Sequence, residues 1–238
     1  MTLELTLRTV ATIVIAYLLG SLSPAIIITK LKTGQDIRTM GSGNAGFTNV
    51  LRSVGVGPAV ATIIFDYMKG ILAVLIGWWI FSNLTVTNDV APLEYVKYGR
   101  YLAGMCVIIG HVFPIYYGFK GGKGVVTANA LMLVVDWRVF LIVTVTFLII
   151  ALSTKLISLG SVAGAALYPV YTLLVTYFLE YLPYLGTENE LRFRFVIIST
   201  ACALAVALMI IIMHRENLKR LFNGEEKRIK PKKTVKGN

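Results

Sequence analysis

The feature that most constrains this chain is a set of long runs with no charged side chain. Residues 9–29, 70–88, 101–119, 156–179 and 195–214 contain no Asp, Glu, Lys or Arg. Each run approaches the ~20 apolar residues that an α-helix needs to cross ~30 Å of hydrocarbon. A composition of 56% hydrophobic and only 15% charged residues also lies outside the range of soluble domains. The expected class is an all-α, polytopic integral membrane protein.

The first run is too long for the apolar core of a signal peptide and passes into Lys30 and Lys32 without a small-residue cleavage site, so it reads as an uncleaved first span. Cys106 and Cys202 sit in apolar runs with no His, Cys or carboxylate at ligand spacing, and read as packing residues. Between Arg52 and Asp89 only Asp66 and Lys69 interrupt the apolar pattern, which predicts one helix over about residues 55–81. The pair then lies near mid-membrane, neutralising itself at i,i+3 and facing the bundle interior. That depth assigns it to structural pairing, away from the inner face.

The short apolar stretch from Val125 to Val135 decides the topology. If it does not cross, Lys155 falls on the outer side. As a short crossing helix, thinning the bilayer or buried among its neighbours, it restores a consistent alternation and brings the expected count to seven transmembrane helices, the fourth short. With the N-terminus outside and the C-terminus cytoplasmic, most lysines and arginines collect on the inner face, where the +11 net charge then resides. Residues 1–226 are expected to form a single membrane domain, and 227–238 a disordered basic cytoplasmic tail that sets orientation or attracts anionic lipid. Trp78, Trp79, Tyr181 and Tyr184 fit an aromatic belt at the outer boundary.

Three inner loops and the segment after the last span carry the chemistry. The first loop reads DIRTMGSGNAGFTNVLR. Gly41, Gly43 and Gly46 permit turns that aim successive N–H groups at one point, and Asn44 is placed to cap a short helix ending near Arg52. Ser42, Thr48 and Asn49 add neutral hydrogen-bonding groups, and Arg52 a forked cation. The same glycines also suit a flexible interhelical turn, and both readings stay open. The second loop, GHVFPIYYGFKGGKGVVT, sets Gly121, Gly122 and Gly124 around Lys123 at a helix start. The GxxxxGK[ST] spacing is absent, which disfavours a nucleotide-driven pump. In the third loop, STKLISLGSVAG, Ser158 and Ser161 either cap the next helix or bind substrate, and capping is the commoner role. After the last span, HRENLKRLFNGEE puts Leu218, Leu221 and Phe222 on an interfacial stripe and His214 and Asn217 on another face. His111 is placed to brace the second loop rather than to react.

GSGNAGFTNVLR, DYMKG, GHVFPIYYGFKGGKGVVT and HRENLKRLFNGEE, in this order and spacing, resemble the bacterial acyl-phosphate-dependent glycerol-3-phosphate acyltransferases, the PlsY family, over nearly the whole chain. Small departures stand at Ala45, Phe47, Tyr116 and Val126, where the family usually has proline, alanine, phenylalanine and alanine. The resemblance implies a seven-helix enzyme of the bacterial inner membrane, its active site facing the cytoplasm. It would move a fatty acyl group from an acyl phosphate to the 1-hydroxyl of sn-glycerol 3-phosphate, giving lysophosphatidic acid and phosphate, with no cofactor and no metal. Its partners would be these two substrates, membrane lipids and the enzyme that makes acyl phosphate, with no nucleic acid.

On this reading Ser42, Gly43, Asn44 and Thr48 hold the acyl-phosphate head, while Lys123, Arg52, Ser161, His214 and Asn217 hold glycerol 3-phosphate. Ser42, Asn44, Lys123 and His214 are the catalytic set, and Gly41, Gly46, Asn49, Gly121, Gly122, Gly124 and Ser158 join the substrate-binding set. An acyltransferase with a different donor is the near alternative, but the His-x4-Asp pair of acyl-CoA enzymes is missing: Ile115 follows His111 and Leu218 follows His214 at that spacing. An organic-phosphate or anion transporter would also want basic glycine loops, yet the expected inverted repeat is not seen.

Overall fold

The computed structural model describes residues 3–82, 84, 92–187 and 190–228. Among them all regular structure is helical: α1 (Leu3–Ser21), α2 (Pro24–Thr33), α3 (Phe47–Ser53), α4 (Val56–Ser82), α5 (Pro92–Val112), α6 (Val125–Val135), α7 (Trp137–Thr154), α8 (Ile157–Thr176), α9 (Phe193–Met213) and α10 (Arg215–Phe222). Most of the expected disordered tail, from residue 229 on, lies outside the described residues, as do residues 83, 85–91, 188 and 189 of the long outer loops.

Among the described residues six stretches are long and apolar enough to cross a membrane: Leu3–Thr33, Val56–Ser82, Leu93–Tyr117, Trp137–Thr154, Ile157–Tyr184 and Phe193–Met213. The chain is a multi-pass membrane protein. Its outward faces are apolar, with Trp79, Ile149 and Leu152 more than half exposed on the isolated chain, as lipid-facing side chains must be. Inside, small residues bring backbones together. A Cβ on Gly110 of α5 would stand 2.2 Å from the Tyr17 carbonyl oxygen of α1, so no larger residue allows that approach.

The first run, expected as one span, is broken into α1 and α2. Pro24 is the first residue of α2, and a residue before proline is pushed out of the helical region. Ser23 accordingly adopts an extended conformation (φ −107°, ψ 97°). The break leaves carbonyls at the end of α1 without intrahelical partners, and Lys69 of α4 takes two of them, donating to Gly20 O at 3.2 Å and Leu22 O at 2.7 Å.

Six long spans and one short helix thus stand where seven spans are expected. At 11 residues α6 is ~16 Å long. It packs against α4, α5 and α7. A Cβ on Gly70, at the middle of α4, would meet Ala130 Cβ at 2.8 Å and Thr127 O at 3.4 Å, so α6 begins near the mid-depth of α4. The loop between α5 and α6 descends into the bundle to meet it, since α5 ends at Val112, just before Pro114. This corrects the placement of Asp66 and Lys69 away from the chemistry-bearing loops. Their cluster includes His111, at the end of α5, whose ring lies against that loop.

Candidate active site

The loop between α2 and α3 is built around one buried side chain. Asn49 donates from Nδ2 to the carbonyls of Ile37 (3.1 Å), Met40 (3.0 Å) and Asn44 (3.0 Å), and its Oδ1 accepts from the Ser42 N–H at 3.0 Å. Both ends of its amide are therefore engaged inside its own loop, and Asn49 organises the turn. Gly41, at φ +57°, leaves room for this: a Cβ there would stand 2.3 Å from Asn49 Oδ1. The expected cap at Asn44 is not formed. The Gly46 N–H turns back to the Asn44 carbonyl at 3.1 Å, so the helix starts later, with Gly46 as an extended N-cap that makes no side-chain bond. Ser42 and Gly43 are exposed at the loop surface, and Asn44 and Thr48 are half-buried.

Two contacts hold this loop to the one bearing Lys123. Arg38 is forked onto Asp36 (Nη2 to Oδ2, 2.8 Å) and donates from Nη1 to the carbonyls of Tyr117 at 2.6 Å and Lys120 at 3.3 Å. That fork holds the Asp36 carboxyl below its usual range. Deeper in, the site of a Cβ on Gly122 lies 2.2 Å from His111 Nε2 and 2.8 Å from the Ala45 carbonyl oxygen, so only glycine lets the three elements meet. Backbone bonds from Gly121 N to Val112 O and from Gly122 N to His111 O, both 3.1 Å, pin the loop to the end of α5. Gly124, at φ +81°, then opens α6. A cleft of about 530 Å³ remains between the loops, lined by residues that include Asp36, Arg38, Gly43, Tyr117, Lys120 and Gly121.

Beside this junction α10 folds back beneath the start of α8. The Lys123 ammonium donates to Asn217 Oδ1, and Asn217 Nδ2 donates to Ser158 Oγ and to Glu226 Oε1, both at 2.8 Å. Ser158 Oγ donates to Glu226 Oε1 at 2.6 Å, and Arg220 Nε to Glu226 Oε2 at 2.9 Å. Arg52, at the end of α3, reaches the same place and donates to the Lys227 carbonyl at 3.0 Å. Neither serine caps α8: its N-cap is Leu156, which makes no side-chain bond, while Ser161 Oγ turns back to the Ile157 carbonyl at 3.0 Å. Ser158 is directed instead to the folded-back segment.

Burial first, then repulsion from Arg220 and Arg52, lowers the Lys123 pKa to about 8, with Glu226 opposing. His214 is buried at the α9–α10 junction, and burial followed by the nearby Lys123 charge lowers its pKa to about 4. It is neutral at pH 7. With its Nδ1 2.8 Å from the Ile210 carbonyl, that nitrogen carries the proton, and Nε2 is left as an acceptor. Burial raises the Glu226 carboxyl, but the bonds from Ser158, Asn217 and Arg220 outweigh it and hold the group ionised.

Lys123, Asn217, Ser158, His214 and Arg52 are thus brought to one place, with the loop of Ser42, Asn44 and Thr48 joined to it through Gly122 and Ala45. Arg38, Arg220 and Glu226 were not among the sequence-predicted site residues. Glu226 closes a contact 68 residues away in sequence, for which no local periodicity exists. Among the described residues no group of three His, Cys, Asp or Glu is placed to hold a metal ion.

The family model described as glycerol-3-phosphate acyltransferase matches residues 10–224. A glycerol-3-phosphate acyltransferase of Clostridioides difficile is 37% identical over 220 residues, covering 92% of this chain and 95% of its own. One from Shewanella loihica is 35% identical over 236 residues, covering 99% of this chain and 100% of its own. Among solved structures the chain is similar to PlsY (YgiH), an integral membrane glycerol 3-phosphate acyltransferase. Its glycerol 3-phosphate form superposes with a TM-score of 0.73 at 29% identity, covering 93% of this chain and 96% of that one. The lysophosphatidic acid form gives a TM-score of 0.70 at 28% identity, covering 93% and 95%.

Proposed function

The chain belongs to the glycerol-3-phosphate acyltransferase family, and from that premise we propose that it moves a fatty acyl group from an acyl phosphate to the 1-hydroxyl of sn-glycerol 3-phosphate at the cytoplasmic face of a bacterial inner membrane. The observation that carries this reading is the charge balance around Lys123. Among the described residues, the charges that bear on it are the cations Arg52 and Arg220 and the carboxylate of Glu226, which accepts from Asn217 and Arg220. With Lys123 itself the cluster keeps an excess of two positive charges, which suits a phosphate monoester carrying ~1.5 to 2 negative charges at pH 7.

In this mechanism Lys123 and Arg52 hold the acceptor phosphate, with Asn217 and Glu226 fixing the ammonium and Arg220. Ser42, Gly43, Asn44 and Thr48 receive the acyl-phosphate head with backbone donors, and the acyl tail leaves sideways into lipid. The hydroxyl oxygen of the acceptor attacks the acyl carbonyl carbon, an ester C–O bond forms, and the C–O bond to phosphate breaks. The hydroxyl proton leaves on the departing phosphate as HPO4²⁻. His214 Nε2 can accept a hydrogen bond from the glycerol, but with a pKa of about 4 it is a weaker base than phosphate, whose second pKa is ~6. A mixed anhydride has a good leaving group, so alignment and charge neutralisation supply most of what the reaction needs. Residues 1–226 act as one membrane domain with seven crossings, α6 completing the inner half of its passage through the descending loop. The basic residues beyond Glu226 greet anionic lipid, and the enzyme that makes acyl phosphate is the natural partner on this face.

The test is donor choice. Purified protein is incubated with labelled glycerol 3-phosphate and palmitoyl phosphate, palmitoyl-CoA or palmitoyl-acyl carrier protein. Labelled lysophosphatidic acid is expected from palmitoyl phosphate alone. Product from a thioester donor instead would overturn the donor, and no product from any donor would overturn the reaction.

A further inference from the structure

The Asp66–Lys69–His111 cluster has no part in the mechanism above, yet its geometry reaches the phosphate-binding loop. Lys69 Nζ is within hydrogen-bond distance of Leu22 O at 2.7 Å, His111 Nδ1 at 2.9 Å and Gly20 O at 3.2 Å, and is ion-paired with Asp66 Oδ1 at 2.8 Å. An ammonium carries only donors, so a ring nitrogen 2.9 Å from it must present its lone pair. His111 is then neutral with its proton on Nε2. Asp66 Oδ1 lies nearer the ammonium, at 2.8 Å, than the ring nitrogen, at 3.3 Å, and pairs with the lysine charge. The Nε2 edge faces Gly122, and the point where a Gly122 Cβ would stand is 2.2 Å from Nε2 and 2.8 Å from Ala45 O. One imidazole therefore connects the α1–α2 break and α4, through Lys69, with the loops that carry Lys123 and Asn44.

We propose that Lys69 is a positioning residue for acyl transfer: by fixing His111 as the Nε2–H tautomer and anchoring its ring, it sets the register of the Gly122–Lys123 loop against the Asn44–Ala45 loop. This rests on the acceptor-binding role proposed for Lys123. With Nδ1 held by the lysine, the Nε2 edge of the ring is packed against Gly122 beside the Ala45 carbonyl. Asp66 keeps the ammonium neutralised within the bundle, where an unpaired charge is costly. The α1–α2 break matters as well: a continuing helix would take up the Leu22 carbonyl, and the Gly20 carbonyl has no i+4 donor because residue 24 is proline.

The full-length protein in nanodiscs, ¹⁵N-labelled at histidine, provides the test. NMR of the two ring nitrogens is expected to report the Nε2–H tautomer for His111 in wild type, and a mixed or reversed tautomer in Lys69→Met. In kinetics with palmitoyl phosphate, His111→Asn mimics only the Nδ1 end of the ring and His111→Gln only the Nε2 end. His111→Asn and Lys69→Met should raise the KM for glycerol 3-phosphate about tenfold with kcat changed less than about threefold, whereas His111→Gln stays within about threefold of wild type in both. An Nδ1–H tautomer in wild type overturns the proposal. So does a pattern in which all three variants lower Tm alike while KM stays at the wild-type value. If wild type makes no lysophosphatidic acid, the proposed reaction fails, but the tautomer measurement still decides the positioning claim.

Discussion

The two ends of the bundle handle charge in opposite ways. At the end formed by the starts of α5, α7 and α9, carboxylates and cations are matched: Arg138 bridges Asp136 at 2.7 Å and Glu180 at 2.9 Å, and Lys97 meets Glu180 at 2.7 Å. At the other end Lys123, Arg52 and Arg220 share one carboxylate, Glu226. A closed network of matched ion pairs ties helices together and has little left to offer a ligand. A cluster with an excess of two cations, held by neutral acceptors such as Asn217 Oδ1 and the Lys227 carbonyl, is organised around an anion that comes from elsewhere. The matched end reads as a clasp and the unmatched end as a binding site.

The comparison can be broken most severely by cutting the excess from two charges to one. Asn217→Asp sets a second carboxylate against Glu226, and a buried like-charge contact costs several kcal/mol, so kcat/KM for glycerol 3-phosphate should fall on the order of a thousandfold. Initial rates at varied acceptor check this. A smaller loss should follow a purely steric change beside the same site. In Gly122→Ala the new Cβ meets His111 Nε2 and Ala45 O well inside contact distance, so the Lys123 loop must shift. A displacement of about 1 Å near reacting groups costs about a hundredfold, expected here chiefly in the acceptor KM.

Sequence reading located the long helices well and the loop interiors less so. The helix expected over about residues 55–81 is α4, Val56–Ser82, and the short one is found at Val125–Val135, because both are framed by charge or glycine at their ends. Pro24 carries the signal for the α1–α2 break, which the absence of charge across residues 9–29 masks. Lys123, Asn217, His214 and Arg52 are grouped in the sequence only through the family resemblance of their motifs; in the structure they lie together. What was not legible was which polar groups partner one another. Local rules make Asn44 a cap and leave the two serines between cap and substrate ligand, whereas long-range contacts decide Ser158 and the turn around Asn49 decides Asn44. The descent of the Lys123 loop to the level of Lys69 follows from packing of α6 on α4, which no local pattern encodes.

Titration sharpens the contrast further. With Lys123 lowered to about 8, its charge is present below that pH and lost above it, so kcat/KM for the acceptor should fall about tenfold per unit above pH ~8. Lys123→Arg should move this basic limb upward, since guanidinium stays protonated. A pH profile with no basic limb before pH 10 would remove the burial argument. The smallest functional effect is expected at the matched end. Glu180→Gln should lower Tm by a few degrees through the loss of about 1–3 kcal/mol of charge-assisted bonding. Both KM values should stay at their wild-type levels, as differential scanning fluorimetry and initial rates would show.

The most direct measurement of the central claim is the acceptor KM of Lys123→Ala, with palmitoyl phosphate saturating and the donor KM determined in parallel. The account predicts an acceptor KM raised at least about tenfold, as expected when one charge-assisted contact to a phosphate is lost, with the donor KM little changed. Equal acceptor KM in wild type and Lys123→Ala would contradict the assignment of this cluster to the acceptor phosphate.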